Sequence, residues 1–380
     1  MDMSLSEEQR LIQQTAREFA EREVAPQARA MDADALWPTA LVKRLGELGL
    51  MGMAIPEAHG GSGADHVSYA LAVEEISAAC ASLGVIMSVN NSLACAPLLQ
   101  FGSQAQHRDV LRPLASGAQL GCFGLTEPAS GSDASHMETV AQKDGASWIL
   151  NGSKNWITNG PHADVIVVFA ASDRQLGSRG VTAFVVPTDQ PGFGRQKADD
   201  KLGIHAAHSC TVFFDNCRIP ADLQLGQEGE GFKIAMATLD GGRIGIAAQA
   251  VGIARAAFEK ARDYAKERKA FGEAIANKQA IQFMLADMAT EIDAARLLVL
   301  RAAWLEDQGQ RHTSESAVAK LFASEMATRV CHKALQIHGG YGFSKDYDVE
   351  RHYRDARITE IYEGTSEIMR IVIASRALRD

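Results

Sequence analysis

Val165-Ile166-Val167-Val168-Phe169 and Val181-Thr182-Ala183-Phe184-Val185-Val186 are the runs that decide the architecture. β-Branched and aromatic residues crowd both, with no helical period between them. Trp148-Ile149-Leu150 before them and Thr211-Val212-Phe213-Phe214 after them have the same character, and Asn151-Gly152 and Pro191-Gly192 read as turns. Strand follows strand from Gly121 to about Gly229, which predicts an antiparallel sheet or small barrel rather than a doubly wound sheet.

Helical periods flank this region on both sides. After Gly231, Ile244, Ala247, Val251, Ala254, Phe258, Ala261 and Ala265 step by 3 and 4, and Ile281, Leu285, Met288, Ile292, Ala295, Val299 and Ala302 repeat the pattern. That narrow apolar seam predicts a four-helix bundle. Its third helix runs from about Ser314 to Gln336 and stops at Gly339-Gly340; the fourth follows Glu363, with Ile368, Ile371, Val372 and Leu378 on one face. Before the sheet, Ser6-Glu7-Glu8-Gln9 resembles a capping box opening a first helix that Pro26 ends. A second helix after Trp37-Pro38 carries Leu41, Leu45 and Leu48. Ile55 to Gly63 reads as a loop. From Tyr69 to about Ser116 the chain is alanine- and leucine-rich, interrupted near Asn90-Asn91 and Phe101-Gly102. The expectation is an α+β chain: an N-terminal α-helical domain (1–118), a middle antiparallel β domain (119–229) and a C-terminal four-helix bundle (230–380). There is no internal repeat and no low-complexity segment.

With 380 residues the chain can bury a sizeable core, and its 46% hydrophobic and 22% charged residues are ordinary for a globular protein. A net charge of −9 argues against a nucleic-acid footprint, so any phosphate on a substrate must be met by local basic residues. The six cysteines lack C-x-x-C spacing and read as buried thiols in a reducing compartment. No run approaches the ~20 apolar residues of a membrane span, and Met1-Asp2-Met3-Ser4 leads straight into a charged helix without a signal peptide. These features predict a soluble, intracellular protein with no membrane partner.

Several stretches carry candidate chemistry, each beside an ordinary structural reading. No Walker loop or G-x-G-x-x-G after a strand is present, so a nucleotide cofactor would not sit in a Rossmann crevice. His205-x-x-His208 lacks an acidic or thiol partner and reads as turn histidines, not a metal site. Phe123-Gly124-Leu125-Thr126-Glu127-Pro128-Ala129-Ser130-Gly131-Ser132-Asp133 offers hydroxyls, amides and space to a flat heterocycle, or is a plain helix-to-strand loop. In Lys154-Asn155-Trp156-Ile157-Thr158-Asn159-Gly160, the tryptophan suits ring stacking or, by local pattern, the core. Asp240 and Arg243 have the spacing of an ion pair on an exposed face. Gln336-Ile337-His338-Gly339-Gly340-Tyr341-Gly342 reads as a glycine helix stop. Arg351, His352, Arg354 and Arg357 read as a solvated or subunit-bridging face. Glu363 stands between Tyr362 and Gly364, just ahead of a helix capped by Thr365 or Ser366. A carboxylate at such a bend is a general base if buried, or an ordinary glutamate favoured by the helix dipole.

These motifs, in this order and across essentially the whole chain, closely resemble the acyl-CoA dehydrogenase family. The resemblance implies that family's three-part fold, bound FAD, an acyl-CoA substrate, a homotetramer built as a dimer of dimers, and electron-transferring flavoprotein as acceptor. It implies that Phe123, Leu125, Thr126, Gly131, Ser132, Trp156, Ile157 and Thr158 lie along the flavin, with Thr158 near N5 and Ser132 also near CoA. By the same likeness Arg268, Phe271 and Gln279 reach a neighbouring subunit's FAD, Gln336, Ile337, Gly339 and Gly340 approach the diphosphate, and Thr365 and Glu367 also touch the cofactor. Asp240, Arg243, Tyr362 and Gly364 fall to the substrate. Glu363 is then the catalytic base, removing the α-proton of the thioester. Isovaleryl and long-chain members carry that glutamate where this chain has Gly242, which cannot serve. Two departures matter: Ala270 replaces a threonine common in the family, and Ser375 stands where some medium-chain members have arginine.

The implied activity is FAD-dependent α,β-dehydrogenation of a short-chain acyl-CoA to trans-2-enoyl-CoA, in fatty acid β-oxidation or branched-chain amino acid degradation. The segment around Glu363 looks butyryl-type; Asp240 to Arg243 and His338 to Gly342 lean toward isobutyryl or 2-methyl-branched enzymes. Competing readings are an oxygen-using acyl-CoA oxidase and a flavin-bearing scaffold without turnover. The implied location is the bacterial cytoplasm, or the mitochondrial matrix for a processed eukaryotic chain.

Overall fold

The computed structural model describes residues 4–379; the expectation for Met1 to Met3 lies outside them. Ser6 opens α1 (Glu7–Phe19) as a full capping box, its hydroxyl accepting from the Gln9 N–H while the Gln9 side chain accepts from the Ser6 N–H. Pro26 does not end this helix. The chain widens into a π turn over Ala20–Val24 and continues as α2 (Ala25–Ala33), with Pro26 just after the widened turn, which accommodates the residue that lacks an N–H. α3 (Thr39–Glu47) buries Leu41 and Leu45.

α4 (His66–Ala79), α5 (Ala81–Ser88) and α6 (Ala96–Phe101) follow. The expected interruption at Asn90-Asn91 is instead a π turn, Val89–Cys95, that keeps α5 and α6 in one rod. Both amides are buried. They donate to the carbonyls of Leu50, Met51, Met87 and Leu114, and accept from the N–H groups of Met53 and Gly121. The rod, Ala81–Phe101, corrects the expectation for membrane-length runs: it is long and apolar enough to cross a membrane, and most of it is buried inside the fold. Short α7 (Gln104–Gln106) and α8 (Arg112–Ala115) lead into the sheet.

The strands are β1 (Gly121–Gly124), β2 (Val140–Asp144), β3 (Ser147–Thr158), β4 (Val165–Ala171), β5 (Val181–Pro187), β6 (Phe193–Arg195), β7 (Ser209–Pro220) and β8 (Gln224–Leu225). Their order is β6-β7-β3-β2-β4-β5-β8, with β1 added to β4. Pairing is antiparallel except that β1 runs parallel to β4, and β2 meets β4 in parallel at Val140 and Ala171. The opening run, β4, is apolar without alternation because both its faces are covered. Val165, Val167 and Phe169 pack with Leu114 and Ile234 from the helices, whereas Ile166, Val168 and Ala170 pack with Trp148, Leu150 and Phe214. Asn151-Gly152 is not a turn but a bulge inside β3, with Gly152 at φ +142 pressed against Thr139. The β2–β3 turn falls earlier, at Gly145, where φ is +61.

α9 (Gly231–Glu267), the β9 (Lys269–Ala270) and β10 (Glu273–Ala274) hairpin, α10 (Gln279–Asp307), α11 (Thr313–His338), α12 (Val349–Ile358) and α13 (Ser366–Ala377) complete the chain. The α9 and α10 seams are buried along most of their length. α13 departs from its reading: Ile371 and Leu378 are 62% and 88% exposed, and Ser366 and Met369 form the buried side instead. The basic tract also departs. Arg351 and His352 are buried, and Arg354 forks onto Asp32 (2.6 Å) and Glu350 (2.7 Å), clamping α12 to α2. One hydrophobic core joins the N-terminal helices to α9, α10 and α11. Within it Glu74 and Glu75 bind Arg17, Arg255 and Arg296, tying α1, α4, α9 and α10 together.

Candidate active site

Glu363 lies in the loop between α12 and α13. Its φ is +52, in the left-handed region unfavourable to a side chain with a Cβ, and Gly364 follows at +101. Such strain persists only where surrounding contacts enforce it. Here the Ser366 N–H donates to the Glu360 carbonyl (3.0 Å), and the Thr365 hydroxyl caps α13 by accepting from the Ile368 N–H (3.3 Å). The Tyr362 hydroxyl donates to the Gln249 side chain, and Lys320 Nζ to the Gly364 carbonyl at 2.6 Å.

The carboxylate points inward against α9. A Cβ on Gly242 would come within 2.3 Å of Glu363 Oε2 and 2.9 Å of Leu93 Cδ2, so the position admits only glycine beside this side chain. Part of the residue's surface stays accessible, but Oε2 is sealed from solvent and has no hydrogen-bond partner. Burial therefore pushes the carboxyl up to about 7, with the positive charges of Lys320 and Arg243 opposing the rise. Arg243 is buried too, against the expectation of an exposed pair; its Nη1 donates to Asp240 at 2.6 Å, and Asp240 accepts from Thr313 at 2.6 Å. Among the described residues, seven buried side-chain atoms lack a partner, and Glu363 Oε2, Arg243 Nε and Ser366 Oγ come from this one region. Alongside runs a cleft of about 530 Å³ lined by Tyr69, Ser92, Thr238, Asp240, Gly241 and Thr313 among others.

The two β-domain motifs form a second group. The Asn155 N–H donates to the Thr126 carbonyl at 2.8 Å. Lys154 Nζ donates to the Leu125 carbonyl at 3.3 Å and to Glu127 Oε1 at 2.6 Å. Trp156, read locally as a core residue, is instead 61% exposed, held outward by a φ of +61. Its neighbour Ile157 is inside the β core, so only its backbone can meet a ligand, and Thr158 is half-buried. Phe123 packs on Phe169, Leu125 is nearly buried, Thr126 is half-buried, and Gly131 and Ser132 are exposed, with nothing within 4 Å of a Cβ on Gly131.

Arg268, Phe271, Gln279, Gln336, Gly339 and Gly340 form a third group on the surface, while Ile337 is buried behind them. Arg268 lies over the Tyr341 ring at 5.5 Å, and Phe271 stands 97% exposed at φ +53. Arg268 follows Gly242 by 26 residues of nearly continuous helix, roughly 39 Å at 1.5 Å per residue. This group therefore does not converge on Glu363 within one chain. Glu367 is exposed in the first turn of α13. His205 and His208 diverge, to Asp32 and Lys201 carbonyls and to Ala35 and the His162 ring respectively.

Three family models cover the chain: the acyl-CoA dehydrogenase N-terminal domain at residues 6–118, the middle domain at 122–217 and the C-terminal domain at 229–378. The chain belongs to the acyl-CoA dehydrogenase family. It is 52% identical over 377 residues to the mitochondrial short-chain specific acyl-CoA dehydrogenase of Mus musculus, covering 99% of this chain and 92% of that one. Butyryl-CoA dehydrogenase from Megasphaera elsdenii superposes with a TM-score of 0.98 at 45% identity, covering both chains fully. A chain from a structure of the electron transferring flavoprotein of Acidaminococcus fermentans gives 0.99 at 48%, again with full coverage of both.

As an acyl-CoA dehydrogenase the protein is an FAD-dependent oxidoreductase that dehydrogenates acyl-CoA thioesters, in a family serving fatty acid β-oxidation. Its residues fit that cofactor: an outward tryptophan, an uncrowded glycine loop and an unpartnered buried carboxylate. Sequence reasoning missed Lys320, Tyr69 and Leu93. The signal for Lys320 was present, since it shares a helical face with Ser316, Ala323 and Ala327, all buried.

Proposed function

We propose that the chain converts a short-chain acyl-CoA to its trans-2-enoyl-CoA, with Glu363 taking the α-proton. The observation that carries this reading is a carboxyl whose Oε2 is sealed from water without a hydrogen-bond partner and which burial pushes up to about 7. An ionised carboxylate so poor in partners gains most by taking a proton, and the low-dielectric surroundings strengthen that tendency. When bound, FAD supplies the acceptor for the β-hydrogen, which leaves as hydride. Trp156, Thr158, Leu125, Thr126, Gly131 and Ser132 would hold the flavin. The Glu363 N–H makes no hydrogen bond among the described residues and is available to charge developing on the thioester oxygen. Asp240 and Arg243 would bind the CoA arm along the cleft. Likeness to the short-chain and butyryl enzymes supports the chain-length assignment. The Acidaminococcus chain supports an electron-transferring flavoprotein as acceptor. The remote Arg268 group supports assembly with a second copy, as in a dimer of dimers.

Anaerobic addition of butyryl-CoA should bleach the yellow protein. Glu363→Gln should keep FAD yet bleach at least about 10³-fold more slowly. Retained bleaching would overturn the assignment, and a panel of straight and branched thioesters fixes chain length.

A further inference from the structure

Lys320 is 0% exposed, in the middle of α11. A buried ammonium is strongly disfavoured unless something compensates it. Lys154, the other fully buried lysine, has a carboxylate at 2.6 Å. Lys320 has none within ion-pair distance among the described residues; its Nζ donates to a neutral carbonyl, that of Gly364. The gripped peptide is Gly364–Thr365, directly after the two successive residues, Glu363 and Gly364, at which φ is positive.

We propose that Lys320 is a positioning residue for proton abstraction: it holds the Glu363–Gly364 turn through the Gly364 carbonyl, and its charge favours the ionised form of Glu363. This rests on Glu363 being the base. The charged and titratable groups around that carboxylate are Arg243 and Asp240 from α9, Lys320 from α11, Tyr69 from α4, Tyr362 and Glu360 from its own loop, and Glu367 from α13. Arg243 already has Asp240 at 2.6 Å, which leaves Lys320 as the less neutralised cation. Burial lowers Lys320 to about 8, so it still carries its charge where Glu363 titrates. A lysine needed only for packing would be replaceable by an apolar residue of its volume, often without loss.

The test compares the FAD-loaded wild type with Lys320→Met, Lys320→Gln and Lys320→Arg. Bleaching by butyryl-CoA is followed from pH 5.5 to 9, and the Glu363 carboxyl band is titrated by infrared spectroscopy without substrate. Methionine should move both midpoints upward by about one pH unit, so that bleaching at pH 6 falls about tenfold. Arginine should restore them. Glutamine keeps a donor for the Gly364 carbonyl without the charge and should show the same shift, which holds even if the methionine variant does not fold. Unchanged midpoints in a neutral variant that retains its FAD spectrum would overturn the proposal. Wild-type bleaching by Glu363→Gln would instead overturn the base assignment itself, so the two failures are distinguishable.

Discussion

Glu127 and Glu363 are both carboxylates withdrawn from water, one in the sheet region and one against the bundle, and their surroundings drive them in opposite directions. Glu127 accepts from Lys154 at 2.6 Å and from the N–H groups of Glu138 and Thr139 at 2.5 and 3.0 Å. Burial alone would raise it, but Lys154 and these bonds hold it below the usual carboxylate value. Glu363 also has cations nearby, Lys320 and Arg243, yet no donor reaches Oε2, and burial raises it to about 7. Burial does not by itself make a base. Burial without hydrogen-bond donors is what raises the Glu363 carboxyl, whereas the satisfied pair joins two motif loops.

The comparison can be broken most forcefully at Glu127. Glu127→Ala strands the Lys154 ammonium inside the sheet and should cost about 3–5 kcal/mol of stability, read as a lower melting temperature with release of FAD. An unchanged melting temperature would show that the pair holds nothing together.

Next comes the opposite sign at Glu363. A folded value raised from 4.5 to about 7 means that stability is fully present below about 4.5 and lost as pH rises through 7. Glu363→Gln removes that loss, so at pH 8 the variant should be more stable than wild type by about 3 kcal/mol. The advantage should fade toward pH 5. Denaturant midpoints of the two FAD-bound proteins at both pH values check it; a destabilised variant at pH 8 contradicts it.

Gly242→Ala places a methyl group within 2.3 Å of Oε2 and must displace the carboxylate. A misplacement of that order should slow bleaching about 100-fold, while flavin absorbance reports that the site is otherwise intact. The smallest effect is at the cap: Thr365→Ala should cost about 1 kcal/mol in thermal stability.

Much of this contrast was legible before any coordinates. The β runs, the α9 and α10 seams and the Ser6 capping box depend on short-range pattern and stand where the pattern puts them. The Glu363 segment was legible as a motif, and its role as base as an implication of the resemblance; the unpartnered Oε2 against Gly242 was not, because it depends on packing between distant segments. Only the local core reading of Trp156 failed, for a related reason: composition favours a buried tryptophan, whereas a left-handed backbone turns this one outward. Asn90, Asn91 and Pro26 looked like helix breakers; buried carbonyls and a π turn absorb what each would otherwise disrupt. The exposed face of α13 failed because a period locates a stripe but not the element that it meets.

The most direct test is the infrared titration of the Glu363 carboxyl, isolated as the difference between wild type and Glu363→Gln in the FAD-bound protein. A midpoint near pH 7 is predicted. A midpoint at or below 4.5 would place that side chain with Glu127 as an ordinary satisfied carboxylate and contradict its role as the base.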